Sequence, residues 1–106
     1  MARTLLTVPK AAKRGEVIEI RALIAHPMET GFRANSNGRV EPRDIIRRFV
    51  CRYNGEQVFS AELFSAVSAN PYLVFHTVAT ESGNLEFEWA GDNNFSQVER
   101  VAITVT

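Results

Sequence analysis

The sequence predicts an all-β chain folded as an antiparallel β-sandwich of about seven strands. Three observations carry that expectation: no segment holds a 3.6-residue apolar stripe, apolar residues alternate in short runs, and turn chemistry interrupts the runs roughly every ten residues. At 106 residues and 11.9 kDa the chain has room for one domain, residues 1–106, with a single core. A compact fold of this mass exposes roughly 6,000 Å² of the roughly 17,000 Å² of its extended chain. With 45% hydrophobic and 23% charged residues, it can bury the remainder without resembling a disordered or fibrous composition.

The first strand is expected over Thr4 to Val8 and stops at Pro9, which has no N–H to give a ladder. A basic stretch through Lys10, Lys13 and Arg14 leads to a turn at Gly15. Val17 to Ala25 alternates, with Ile18, Ile20, Ala22 and Ile24 inward and Glu19 and Arg21 outward. From His26 to Asp44 the alternation fails, and Pro27, Gly31, Asn35, Asn37, Gly38 and Pro42 punctuate the segment. A connection this long in a compact domain is where function concentrates.

Asp44 to Tyr53 and Glu56 to Phe64 flank Asn54-Gly55, a hairpin signal because a type I′ turn needs positive φ at both central residues. That loop sets Cys51 opposite Val58, Val50 opposite Phe59, and Arg47 opposite Glu62. Ile45, Phe49, Cys51, Tyr53, Val58 and Phe64 then share one face. Ile46, Val50, Phe59, Ala61 and Leu63 share the other. One face is core; the other meets a partner or is redistributed by a β-bulge. After the Ser65 to Asn70 connection, Tyr72 to Ala79 is again apolar on both sides. A turn at Ser82-Gly83 precedes Leu85 to Trp89, with Leu85, Phe87 and Trp89 inward, and Val101, Ile103 and Val105 pattern the last strand.

Net charge is zero, yet residues 1–52 hold 11 basic and 5 acidic side chains while residues 53–106 hold 1 and 7. Either the surface is dipolar and used for docking, or the halves interleave and their charges meet between neighbouring strands. One cysteine and two histidines exclude an internal disulfide and a multi-cysteine zinc site, and no metal or cofactor is expected. The run Arg43, Arg47, Arg48, Arg52 is split between two strand faces and lacks the net basic charge that nucleic-acid binding requires. No apolar run is long enough to cross a bilayer. The N-terminal residues show no signal-peptide pattern, so the residues alone suggest a cytoplasmic protein.

Cys51 lies within a strand between Phe49 and Tyr53, a setting for a buried, inert thiol rather than an exposed one beside a positive group. A thiol enzyme using Cys51 and His26 is one alternative function. A free-standing extracellular or adhesion-type binding sandwich is another. No spacing of Ser, His, Asp or Cys builds a nucleophile, base and orienting acid, so no catalytic residue is expected.

The words His26-Pro-Met-Glu-Thr-Gly-Phe-Arg33, Pro42-Arg-Asp-Ile-Ile46, Cys51-Arg-Tyr-Asn-Gly55, Ala69-Asn-Pro-Tyr-Leu73 and Val78-Ala-Thr-Glu-Ser-Gly83 closely resemble the SoxZ family of bacterial thiosulfate oxidation, in order and over nearly the whole chain. Phe64-Ser-Ala-Val-Ser68 and Asp92-Asn-Asn-Phe95 depart from the family pattern, both in connections. The resemblance implies an immunoglobulin-like β-sandwich and a non-enzymatic role beside a SoxY-type subunit, as heterodimer or heterotetramer. In that family SoxY carries the sulfur substrate covalently on a flexible Gly-Gly-Cys-Gly-Gly C-terminus. Ending in Val101-Ala-Ile-Thr-Val-Thr106, this chain is expected to hold the carrier and to dock transiently with other Sox enzymes. The family further implies a periplasmic location, reached by export with the partner.

The expected partner interface is Arg48, Val50, Phe59, Leu63, Tyr72 and Val74: if Phe49, Cys51 and Tyr53 face inward, the opposite face presents large apolar groups rimmed by arginine. His26, Met28, Glu29, Phe32 and Arg33 are expected to form a docking loop nearer the carrier arm. An isolated chain with such two-sided strands is expected to self-associate, for example as a homodimer.

Overall fold

The computed structural model describes residues 2–106. They form eight strands and no helix: β1 Thr4–Thr7, β2 Ala11–Ala12, β3 Val17–Ile24, β4 Ile46–Tyr53, β5 Glu56–Glu62, β6 Tyr72–Val78, β7 Gly83–Gly91 and β8 Ser96–Val105. One sheet has the order β1-β3-β6 and the other β2-β8-β7-β4-β5. The expected all-β, immunoglobulin-like sandwich is thus the architecture found. Its accessible surface of 6687 Å² exceeds the roughly 6,000 Å² of a sphere-like chain of this mass, because the body is elongated at 58 × 20 × 20 Å.

The core follows the period-two patterns. Ile18, Ile20, Ala22 and Ile24 of β3 are buried, and Phe75 of β6 joins them from the same sheet. Facing them are Phe49, Cys51 and Tyr53 of β4, Leu85, Phe87 and Trp89 of β7, and Ile103 of β8. Phe49 lies at the centre, with its ring 5.3 Å from Trp89, 5.9 Å from Phe75 and 6.2 Å from Phe87. Each such side chain contributes about 1.5–3 kcal/mol by leaving water. The Tyr53 hydroxyl accepts the N–H groups of Thr80 and Glu81 and donates to the Glu81 carbonyl, tying the end of β4 to the β6–β7 connection.

Three expectations need correction. The strands number eight because β2, only two residues long, pairs with the end of β8. That pairing is parallel, so the sandwich is not antiparallel throughout, and a two-residue strand is too short for any alternation to announce it. The second correction is the hairpin register. Asn54 and Gly55 do take positive φ, 49° and 85°, but the ladder shifts between Cys51 and Arg52, leaving Val58 as an extra residue on β5. Cys51 therefore faces Phe59, Val50 faces Ser60, and Arg48, not Arg47, faces Glu62. The bulge turns Phe59 and Leu63 to the inner side, where the Phe59 ring stacks on Phe75 at 4.2 Å and 6°. The third lies at the start of β4, where Ile46 faces Gly91 and Arg48 faces Ala90, so Arg47 is the extra residue. Ile46 and Phe49 can then both point inward, which strict alternation forbids.

The charge asymmetry between the halves is resolved by interleaving. Arg52 bonds Glu86 at 3.1 Å and Glu88 at 3.0 Å on the adjacent β7, and Arg43 bonds Asp92.

Candidate functional site

The long connection between β3 and β4 is ordered by side chains that the sequence left ambiguous. His26 is buried; its Nδ1 accepts the Met28 N–H at 3.0 Å, and its ring meets Phe95 edge-on at 5.2 Å. Asn70 clamps the same residue, accepting its N–H and donating to its carbonyl. Met28, at φ 51°, is also buried, and its sulfur accepts the Ile46 N–H. These two expected docking residues instead anchor the base of the loop. Above them Glu29 pairs through its backbone with Asp44, and its carboxylate takes two hydrogen bonds from Arg33, which hold it below its ordinary range. Phe32 stands clear, with 84% of its surface exposed.

Phe32 forms one wall of an open groove of about 870 Å³ where β4 begins and β5 ends. Arg43, Arg47, Arg48, Leu63 and Phe64 line it with Phe32. Asp92 receives two hydrogen bonds from Arg43, at 2.8 and 2.9 Å, and lies 3.4 Å from Arg47. The Arg43 guanidinium keeps the Asp92 carboxyl below the usual carboxylate range. Arg48 makes no ion pair among the described residues. Two exposed rings beside guanidinium groups, one of them unpaired among the described residues, give the groove the chemistry to hold an anionic group.

The six residues expected to form one interface divide among three places. Leu63 belongs to the core and Phe59, half-buried, packs against it, both turned inward with the β5 bulge. Arg48 and Val50 lie on the outer side of the five-stranded sheet, where Val50 is only 3% exposed in a hollow lined by Arg48, Arg52, Glu88 and Ala90. Tyr72 and Val74 are 53% and 46% exposed on the outer side of the other sheet. Arg43, Arg47 and Phe64 were absent from the sequence-derived site. Alternation placed Phe64 inward, but β5 ends at Glu62 and the ring is 64% exposed. Nothing local in the sequence couples Arg43 to Asp92, 49 positions away.

Cys51 has no accessible surface, and burial pushes its thiol up to about 12. It is not hydrogen-bonded to His26 among the described residues, so the structure assembles no thiol–imidazole pair. No group of three or more His, Cys, Asp or Glu side chains is placed to hold a metal ion among the described residues.

Compared with known families, residues 6–102 match the family described as "Sulphur oxidation protein SoxZ". The chain belongs to the SoxZ family. The match spans nearly all of this SoxZ-family chain, including the groove and the loop that walls it. No curated protein matches it by sequence. Among solved structures it is similar to a superoxide reductase (neelaredoxin) from Ignicoccus hospitalis, with TM-score 0.78, 16% identity, and coverage of 99% of this chain and 82% of that one. It is also similar to the sulfur carrier protein SoxY from Chlorobium limicola f thiosulfatophilum, with TM-score 0.67, 11% identity, and coverage of 97% and 78%. At these identities both likenesses concern the fold alone.

Proposed function

We propose that this SoxZ-family chain is the non-catalytic subunit of a periplasmic sulfur-carrier pair, exported with its partner. It holds a SoxY-type subunit and offers the groove at Phe32, Arg43, Arg47, Arg48 and Phe64 to that subunit's cysteine-bearing arm. The observation that carries the reading is the state of Cys51. Covalent sulfur transfer needs a thiolate that substrate can reach, and the one thiol of this sequence is sealed between the sheets and held protonated. On this reading the sulfur-bearing thiol belongs to the partner subunit. The groove chemistry supports the reading: exposed rings and guanidinium groups line it, a setting suited to an arm that carries an anionic sulfur adduct.

Co-expression with a SoxY-type subunit tests the reading. The two chains should elute as one complex, and Arg47→Glu/Arg48→Glu should leave the complex intact while slowing delivery of the loaded arm to a downstream enzyme. Two chains that elute separately at micromolar concentration would overturn it.

A further inference from the structure

The two sheets present four edge strands, and three carry features that discourage pairing with another chain. β1 spans four residues and is followed by Pro9. β2 has two residues and covers only Thr104 and Val105 of β8, whose open remainder carries Glu99 and Arg100. β5 is bulged at Val58 and bears Glu56 and Glu62 at its ends. β6 has none of these. Its seven residues, Tyr-Leu-Val-Phe-His-Thr-Val, pair with β3 without a register shift and contain no acidic or basic residue other than His76, no proline and no glycine.

The free side of β6 is also correctly wired. Pro71 gives its carbonyl to Ile24 of β3. In an antiparallel strand that parity turns the N–H and C=O groups of Tyr72, Val74, His76 and Val78 toward the open edge. The outer face beside them is apolar: Leu5 and Val17 are each 63% exposed, Tyr72 53%, Val74 46% and Val78 44%.

We propose that β6 pairs antiparallel with β6 of a second copy of this chain, about a two-fold axis at Phe75, to join the two three-stranded sheets into one. The pattern on this face decides the occupant. Full overlap sets Tyr72 opposite Val78 of the other copy and Val74 opposite His76, each pair exchanging two hydrogen bonds. The observed rows Leu5–Leu23–Tyr72 and Val17–Val78 then abut across the axis as one unbroken apolar row, and symmetry makes the row twice. Between them the row Arg21–Val74 meets the row His76–Glu19; Arg21 and Glu19 pair with each other within each copy at 2.7 Å, so neither brings an uncompensated charge to the seam. No like charges are apposed on the paired strands, and self-complementarity of this kind is what a two-fold interface requires.

Sedimentation equilibrium of the isolated chain over micromolar to millimolar concentrations tests this. The wild type should dimerise reversibly, and Val74→Lys should weaken dimerisation by about tenfold or more, as an edge lysine does. Val98→Lys, at a similarly exposed position on the other sheet, should leave it unchanged. Val74→Lys/His76→Glu should restore the dimer by setting each lysine opposite a glutamate of the other copy. A monomeric wild type, a Val74→Lys protein that dimerises as before, or a double variant no tighter than Val74→Lys would overturn the proposal.

Discussion

Replacing Phe59 by alanine separates the bulged hairpin from the regular one. In the bulged register the ring stacks on Phe75 at 4.2 Å and approaches Phe49 at 6.2 Å. Truncating a fully buried phenylalanine costs about 3–5 kcal/mol. Phe59 is half-buried, so Phe59→Ala should cost about 2–3 kcal/mol, of which about 0.5–1.5 kcal/mol is the aromatic pair itself. With a urea slope near the lower end for small proteins, about 1–1.5 kcal/mol/M, the midpoint should fall by about 2 M at unchanged slope. A double-mutant cycle with Phe75→Ala should recover the pair energy as coupling. Loss below about 0.5 kcal/mol, with no coupling to Phe75, would refute the reasoning and return Phe59 to the solvent side of an unbulged hairpin.

Three further outcomes follow from particular contacts. An added methyl at Gly91 would lie 2.4 Å from the Ile45 carbonyl oxygen and 2.8 Å from the Ile46 Cα, so Gly91→Ala should lower stability by about 1–3 kcal/mol in thermal or urea unfolding. Tyr53→Phe removes the hydroxyl that serves two backbone N–H groups and should cost about 1–3 kcal/mol, with faster hydrogen exchange at Thr80 and Glu81. Cys51 titrates at a higher pH folded than unfolded; above its unfolded value the unfolded chain releases a proton that the folded chain keeps. Stability then declines as pH rises toward about 12, by at most about 1.4 kcal/mol per pH unit. Cys51→Ala should lack that part of the alkaline decline in urea titrations at several pH values.

The sandwich was legible because its inner positions repeat with period two: Ile18 to Ile24 and Leu85 to Trp89 declare their faces without outside help. The turn at Asn54-Gly55 was equally readable, since its backbone sign is a local property. The bulges at Val58 and Arg47 were not, because an extra residue is accommodated by what packs on either side, here Phe75 and Gly91 from distant strands. The shift at Val58 inverted the faces of Phe59 and Leu63, while the assignment of β4 and β6 to different sheets separated Arg48 and Val50 from Tyr72 and Val74. The burial of the loop from His26 to Arg33 was half legible. Phe32 and Arg33 are at the surface, whereas His26 and Met28 are drawn inward by Asn70, Phe95 and Ile46, partners that sequence proximity does not reveal. The groove joins residues from the loop, two strands and the turn at Asp92, so only the fold assembles it.

The central claim, that this chain supports sulfur transfer without bearing the sulfur, is tested most directly by intact-mass measurement of each subunit after the complex with a SoxY-type partner has been loaded from thiosulfate by its pathway enzymes. The adduct should reside wholly on the partner, with this chain at its unmodified mass and loading unchanged in Cys51→Ala. A sulfur adduct on Cys51 of the folded complex, lost together with loading in that variant, would contradict the account.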